Sequence, residues 1–513
     1  MNSLSPFKRQ PNSKTAGILS RLLLVLFFTA ALLACSLIQY SDGDDTFFLQ
    51  TALARPGFFD FVAYLTGTMN GRISTTAALW LVFSGPIWLW RVLGAFFFAL
   101  FAALACKLAM LIADAKTPRS IIYGHKPPIN NPGVFNHKPS TLNCFPLPQL
   151  AVCAAFLLVN VSVAGYAGLW ITGSVNYLWP AAVGLLAFWF PVRSLYGETE
   201  NRVLPFACIL PGVYVCLAQE QLAAVALVFI ILITLRHIKK TPAAGSEAAS
   251  GETCRGQEPL TLREKKGRPP LFLIAQCLCM LASFAVFAVL TLNASRSGKE
   301  IAQWLPEFAV MPFSRRVFIS LQWLANGFAH HIKFLMAAIW TLLALRFLRG
   351  KKAVFAAICA VFTAVAVCSA FFPVLADTGL NDLDITKIVL HAPAPGDLDL
   401  FRWAAVVFWL VAAIATPWLL FSALKGEAGR EAIVLLYLAG LAAAALMFFS
   451  PTIYASGERT FFVTGVLLTV VLAVLTAPYR RWKDLALACV GFVLLAALQL
   501  FENHAVIFAH IFS

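Results

Sequence analysis

The sequence predicts an all-α, polytopic membrane protein of roughly 12–14 transmembrane helices, with interfacial helices in the first external loop. Three observations carry this. Apolar residues fill 60% of the 513 positions and charged residues only 12%, about half the charged share of a soluble globular chain. The apolar runs recur along nearly the whole length and leave no room for a large soluble domain. Basic and acidic loops alternate between them, as expected when Lys and Arg fix topology on the cytoplasmic side. The net charge of +15 therefore marks loops that face the cytoplasm and does not imply nucleic-acid binding.

Taken in order, the basic N-terminus (Lys8, Arg9, Lys14, Arg21) is expected inside, followed by a first span over about Gly17–Tyr40. That run exceeds a signal-peptide core and no small-residue cleavage site follows, so it is read as a retained span. It delivers Asp42-Gly43-Asp44-Asp45 to the outer face. Thr46–Thr68 suits short interfacial helices broken at Pro56-Gly57. Ile73–Ala113 is long enough for two crossings, but one crossing plus a re-entrant half-helix keeps every later loop in register, and that is the expectation.

Further spans are expected over Gln149–Ala164, Pro180–Val192, Val203–Leu217 and Leu222–Leu235, with Gly165–Trp179 as an outer segment. Residues 1–235 thus form a first membrane module. Arg236–Pro270, with eight Lys or Arg against four Glu, is a basic cytoplasmic linker. Residues 271–513 supply the remaining spans, including Leu271–Leu292, His330–Phe347, Ala353–Phe372, Phe401–Leu424, Ala432–Phe449, Thr460–Thr476 and Leu485–Phe501. The acidic stretch with Asp377, Asp382, Asp384, Asp397 and Asp399 is expected outside. No repeat of two similar halves is visible, which argues against an inverted-repeat transporter.

Polar residues at the membrane boundary are the candidate site. A carboxylate beside hydrocarbon is costly to desolvate, so a cluster there has a task or sits in a hydrated loop. Five stretches qualify on the outer side: Asp42 to Asp45; Asn70-Gly71-Arg72; Trp170 to Pro180; Gln219-Glu220-Gln221; and Ser450-Pro451 with Gly457-Glu458-Arg459. Blander accounts exist for several. Trp170, Tyr177 and Trp179 fit an aromatic belt, Thr172-Gly173-Ser174 a turn, Glu220 a hydrated cap, and Arg459 a snorkelling helix end. Asn176 is harder to dismiss, because an amide among aromatics needs a partner.

Ten of the twelve cysteines lie within apolar runs, with only Cys144 and Cys254 in polar loops, so neither a disulfide framework nor a zinc site is indicated. Adjacent His330 and His331 point to different helix faces and make a poor metal pair. The sequence also lacks a phosphate-binding P-loop, an HExxH pair and a nucleophile elbow.

The first span, the Asp-Asp of the first external loop, the interfacial helices and the Asn-Gly-Arg opening the next span together resemble the GT-C superfamily of membrane glycosyltransferases. Thr172-Gly173-Ser174-Val175-Asn176-Tyr177-Leu178-Trp179 is similar to the Thr-Gly-x-x-Asn-Tyr-x-Trp stretch of a bacterial branch grouped with surface-polysaccharide glucosyltransferases. The resemblance covers mainly the first 230 residues. It implies transfer from a polyprenyl-phosphate-linked sugar to a glycan or lipid acceptor, at the outer face of the bacterial cytoplasmic membrane.

The residues suit that chemistry. Displacing a lipid phosphate from an anomeric carbon needs a base beside the acceptor hydroxyl and positive charge on the departing phosphate. Asp44, matching the first Asp of the acidic pair, is the expected base, while Asp45 or Glu220 would orient the acceptor or hold a divalent cation. Arg72 and Arg459 would bind phosphate. Asp42, Asn70, Thr172 and Asn176 would complete the substrate site, with Trp170, Tyr177 and Trp179 stacking on sugar faces or isoprene units. Two rivals stand beside this reading. One is a glycolipid flippase or exporter, which needs ionisable residues deep within helices, where only Lys107 and Lys333 are exceptions. The other is a polysaccharide polymerase or ligase, which often carries a large Arg-bearing outer loop.

Overall fold

The computed structural model describes residues 13–69, 71–113, 146–195, 203–239, 271–293, 301–302, 304–380, 394–427, 429–450, 452–454, 456–479 and 482–503. Asn70, the loops around Lys116 and Arg119, most of 236–270, Asp382, Asp384, Cys144, Cys254 and Pro451 lie outside them. Among the described residues the chain is helical, with no strand. A chain in lipid must satisfy its backbone polar groups internally, and long apolar helices do so. Among the described residues nine helices are long and apolar enough to cross a membrane, or up to eleven if each of two sharply bent pairs is one span. Adding the shorter apolar helices Leu204–Cys216 and Ala353–Cys368 would bring eleven to thirteen, which overlaps the lower part of the expected 12–14.

The opening helix α1 (Ser13–Leu37) is followed by α2 (Asp44–Ala54), α3 (Phe58–Thr68) and α4 (Ile73–Ser84). The break between α2 and α3 falls at Arg55-Pro56-Gly57, as expected. Helix α5 (Ile87–Ala113) then lies against α1. Both ends of α4 stay at the end of the molecule where α1 terminates. Its first turn meets the turn after Cys216 (Ser74 N donates to Leu217 O at 3.1 Å, Thr75 Oγ1 to Ala218 O at 2.9 Å). Its last turn leads through Gly85-Pro86 into α5, where Arg91 Nη2 donates to Ile38 O at 2.9 Å. Ile73–Ala113 therefore crosses once, with α4 as the non-crossing half-helix.

Two ends of the bundle can be named by their residues. The Asp45 end carries the segment between α1 and α5, with Arg72, and Glu220. The opposite, Arg236 end carries ion pairs from Arg236 to Glu431 and from Arg346 to Glu427. Next come α6 (Leu147–Leu158), α7 (Val161–Ala164), α8 (Ile171–Asn176), α9 (Leu178–Ala187), α10 (Trp189–Leu195), α11 (Ile209–Cys216), α12 (Glu220–Lys239) and α13 (Leu271–Asn293). The C-terminal part holds α14 (Phe313–Asn326), α15 (Lys333–Arg349), α16 (Ala353–Cys368), α17 (Leu400–Ala423), α18 (Arg430–Ala445), α19 (Phe462–Thr476) and α20 (Trp482–Glu502).

Residues on either side of the basic linker share one core. Every residue of α19 is buried, and it packs against α5 and α6 of the N-terminal part as well as α15 and α18. Beside each sharp bend lies a five-residue π-helical turn. Gly165–Leu169 follows the 103° bend after α6, and Gly327–His331 precedes the 78° bend into α15. The first bend meets the second π-helical turn at the Asp45 end, where Asn160 N donates to His331 O at 2.7 Å and Asn160 Nδ2 to His330 O at 3.0 Å.

Candidate functional site

The site starts from Gly43, whose φ of 85° gives the left-handed turn that opens α2 with Asp44 and Asp45 in its first turn. Carboxylates are favourable there because the free N–H groups of a helix start carry partial positive charge. The following helix then sends the two neighbours in different directions. Asp44 is exposed, as is Asp42, whereas Asp45 is fully buried.

A buried carboxylate must be hydrogen-bonded. Asp45 Oδ2 accepts from Ser41 N at 3.1 Å and Ser41 Oγ at 3.0 Å. Its Oδ1 accepts from Thr172 N at 3.0 Å and Thr172 Oγ1 at 2.6 Å. Four donors surround this one group. Asp45 is thus not a free acid, base or cation ligand, which corrects that expectation: it fastens α8 to the start of α2. Burial, with Asp45 beside it, pushes the nearby Tyr40 phenol up, while Arg91 pulls the other way.

The chain of contacts continues without a gap. Asn176 Nδ2 donates to Thr172 O at 2.8 Å, and Asn176 Oδ1 accepts from Arg72 Nη1 at 3.1 Å. Arg72 grips Glu220 through Nε to Oε1 (3.1 Å) and Nη2 to Oε1 (2.9 Å) and Oε2 (2.7 Å). In the other direction Ser41 Oγ accepts from Trp170 Nε1 at 2.8 Å, and the Arg459 guanidinium lies 5.5 Å from the Trp170 ring centroid. Segments far apart in sequence, from Ser41 to Arg459, are therefore joined at one end of the bundle.

Two glycines explain the close approach. A side chain at Gly173 would collide with the Tyr166 carbonyl and with Trp170 Cε3, so only glycine lets α8 fold against the preceding π-helical turn. At Gly71 a Cβ would press on the Phe287 carbonyl, and its N–H donates to Thr291 Oγ1 at 3.2 Å. That seating against α13 places Arg72 at the N-terminal cap of α4.

Other expected substrate contacts are corrected by burial. Trp179 already belongs to α9, where it is buried and stacked on Phe97 with ring centroids 4.5 Å apart. Tyr177 is buried with its ring edge-on to Phe462. Thr172 is buried and engaged by Asp45, and both ends of the Asn176 amide are engaged. These residues position the site rather than line it. Asn70 is outside the described residues. The exposed or half-exposed members are Asp42, Asp44, Trp170, Arg72, Glu220 and Arg459, and Arg459 Nε has no hydrogen-bond partner among the described residues.

Asp45 and Glu220, the carboxylates expected to hold a cation, both have their oxygens on protein donors. Among the described residues no group of three or more His, Cys, Asp or Glu is placed to bind a metal ion. Sequence reasoning missed Ser41, which joins Asp45 to Trp170. It also missed Trp90, whose Nε1 donates to Ser174 Oγ at 2.8 Å. Neither had a signal beyond lying near a helix end.

A second polar group lies beside the first. His330 bonds through Nε2 to Ala376 O at 2.8 Å, and buried Lys333 pairs with Glu502 of α20. His331, Trp323, Tyr454 and Phe461 form an aromatic cluster with centroids 5.3–6.4 Å apart. Lys107, the other exception noted in the sequence, is exposed on α5. Comparisons with protein-family models, with curated proteins and with solved structures each found no match.

Proposed function

We propose that this chain is a membrane glycosyltransferase that moves a sugar from a polyprenyl-phosphate carrier to a cell-surface glycan or lipid acceptor. The Asp45 end would face outward from the bacterial cytoplasmic membrane, with the more basic Arg236 end inside. The observation that carries the reading is the unbroken contact chain from Glu220 through Arg72, Asn176, Thr172, Asp45 and Ser41 to Trp170 and Arg459. Structural caps at separate helix ends would have no need to meet.

In this reading the buried Asp45 and Thr172 hold the scaffold, and the Arg72–Glu220 pair fixes the floor between α4 and α12. Arg459, half-exposed and with its Nε on no acceptor among the described residues, receives the carrier phosphate and neutralises the charge that develops as it departs. Asp44, exposed beside the scaffold, takes the proton of the acceptor hydroxyl as that oxygen attacks the anomeric carbon. The carrier chain keeps the donor in the bilayer, so only the sugar and phosphate need to reach the boundary.

The test is to reconstitute the purified protein in liposomes with radiolabelled polyprenyl-phosphate glucose and a glycan or lipid acceptor. Transfer of label that is lost in Asp44→Asn, with insertion and folding retained, supports the reading. Full transfer by Asp44→Asn removes the base assignment. Movement of the intact lipid across the bilayer without transfer favours the flippase class instead.

A further inference from the structure

Within the bundle lies an apolar cavity of about 150 Å³, bounded by α5, α9–α12, α18 and α19. Its walls include Leu108, Phe188, Ala226, Leu435 and Val470, and among the described residues Arg236 is the only charged one lining it. The lining runs along α12 from Leu222 to Arg236, fourteen residues or about 21 Å. It therefore extends from just beneath Glu220 to the opposite end of the bundle. Leu232 of α12 and Leu435 of α18 line it and are also exposed on the outer surface, so the cavity reaches the lipid-facing side between these two helices. The ion pair between Arg236 and Glu431 bridges the same two helices at the Arg236 end.

We propose that this cavity takes up one acyl chain of an anionic phospholipid drawn from the leaflet at the Arg236 end, with the lipid phosphate at Arg236. Apolar walls exclude water and favour an apolar guest. Charge decides which way the lipid points. Toward the Asp45 end α12 begins at Glu220, whose charge is already matched by Arg72, so that end offers no surplus cation from this pair for an anionic head. At the other end Arg236 lines the cavity and is half exposed, and the same helix α10 that supplies the lining residues Val192 and Leu195 also carries Arg193. A phosphate there would share Arg236 with Glu431 or replace it. The bound chain would then wedge between helices from both sides of the basic linker. This inference stands apart from the transferase reading.

Native mass spectrometry of the full chain, exchanged from detergent into mixtures of phosphatidylglycerol and phosphatidylcholine, tests it. Wild type is expected to retain one phosphatidylglycerol in preference to phosphatidylcholine. Arg236→Gln should cut that preference about fivefold, the worth of one cation near a lipid head. Ala226→Phe, which fills the cavity, should abolish retention of either lipid, and Ala432→Phe at the rim does the same test if the first variant fails to fold. Val407→Phe, on an exposed face of α17, should retain lipid as wild type does. Retention unchanged by filling, no preference between the two heads, or binding only of polyprenyl phosphate in a manner indifferent to Arg236 would each overturn the proposal.

Discussion

Two polar clusters share the Asp45 end, and they are built differently. The first joins short side chains from separate elements (Ser41, Asp45, Thr172, Asn176) with one guanidinium, and hydrogen bonds link each to the next. The second packs large rings. His331, Trp323 and Tyr454 are all buried, yet both His331 ring nitrogens, Trp323 Nε1 and the Tyr454 hydroxyl have no partner among the described residues. Burial pushes the Tyr454 phenol up, so it stays protonated. Short polar groups can turn toward one another at little steric cost. Rings locked by contact with Phe461 fill space well but cannot also aim their polar edges. The first cluster is therefore expected to resist substitution, and the second to tolerate apolar replacement.

The largest effect should come from Asp45→Ala. It strands the donors of Ser41 and Thr172 and should lower stability by about 3–5 kcal/mol, seen as a large fall in the thermal unfolding midpoint in detergent. A fall no greater than that of an exposed-site variant would break the comparison. Next is Glu502→Gln, which leaves the buried Lys333 ammonium without its anion and should cost about 3 kcal/mol. An unchanged midpoint would mean that Lys333 reaches water. Thr172→Val removes one short bond to a carboxylate but keeps the backbone donor, so about 1.5–3 kcal/mol is expected in the same assay. The smallest effect should be His331→Phe, within about 1 kcal/mol of wild type, since it replaces unpartnered nitrogens by a ring of similar shape. A loss well beyond that would indicate that ordered water satisfies His331, and the contrast between the clusters would narrow.

Much of the fold was legible because lipid leaves the chain few choices: apolar runs of sufficient length become helices, and Pro-Gly or Gly-Pro ends them. The single crossing of Ile73–Ala113 was also legible, through the register of the loop charges. In the site, Arg72, Asn176 and Glu220 could be found because a boundary polar group needs a partner. What the residues could not give was direction. Asp44 and Asp45 are neighbours, and one step of 100° around a helix makes one exposed and the other buried. Trp179 looked like a belt residue, yet the helix that carries it starts one residue earlier and turns its ring into the core. The apolar cavity had no local signal at all, since it arises from how helices of both parts pack around α19.

If boundary residues distant in sequence act as one site, a double-mutant cycle on Arg72 and Glu220 will show it. Transfer from radiolabelled polyprenyl-phosphate glucose would be measured for wild type, Arg72→Met, Glu220→Gln and the double variant. Members of one unit fail together, so each single variant should lose about as much activity as the double. Losses that multiply independently, or transfer that survives both changes, would contradict it.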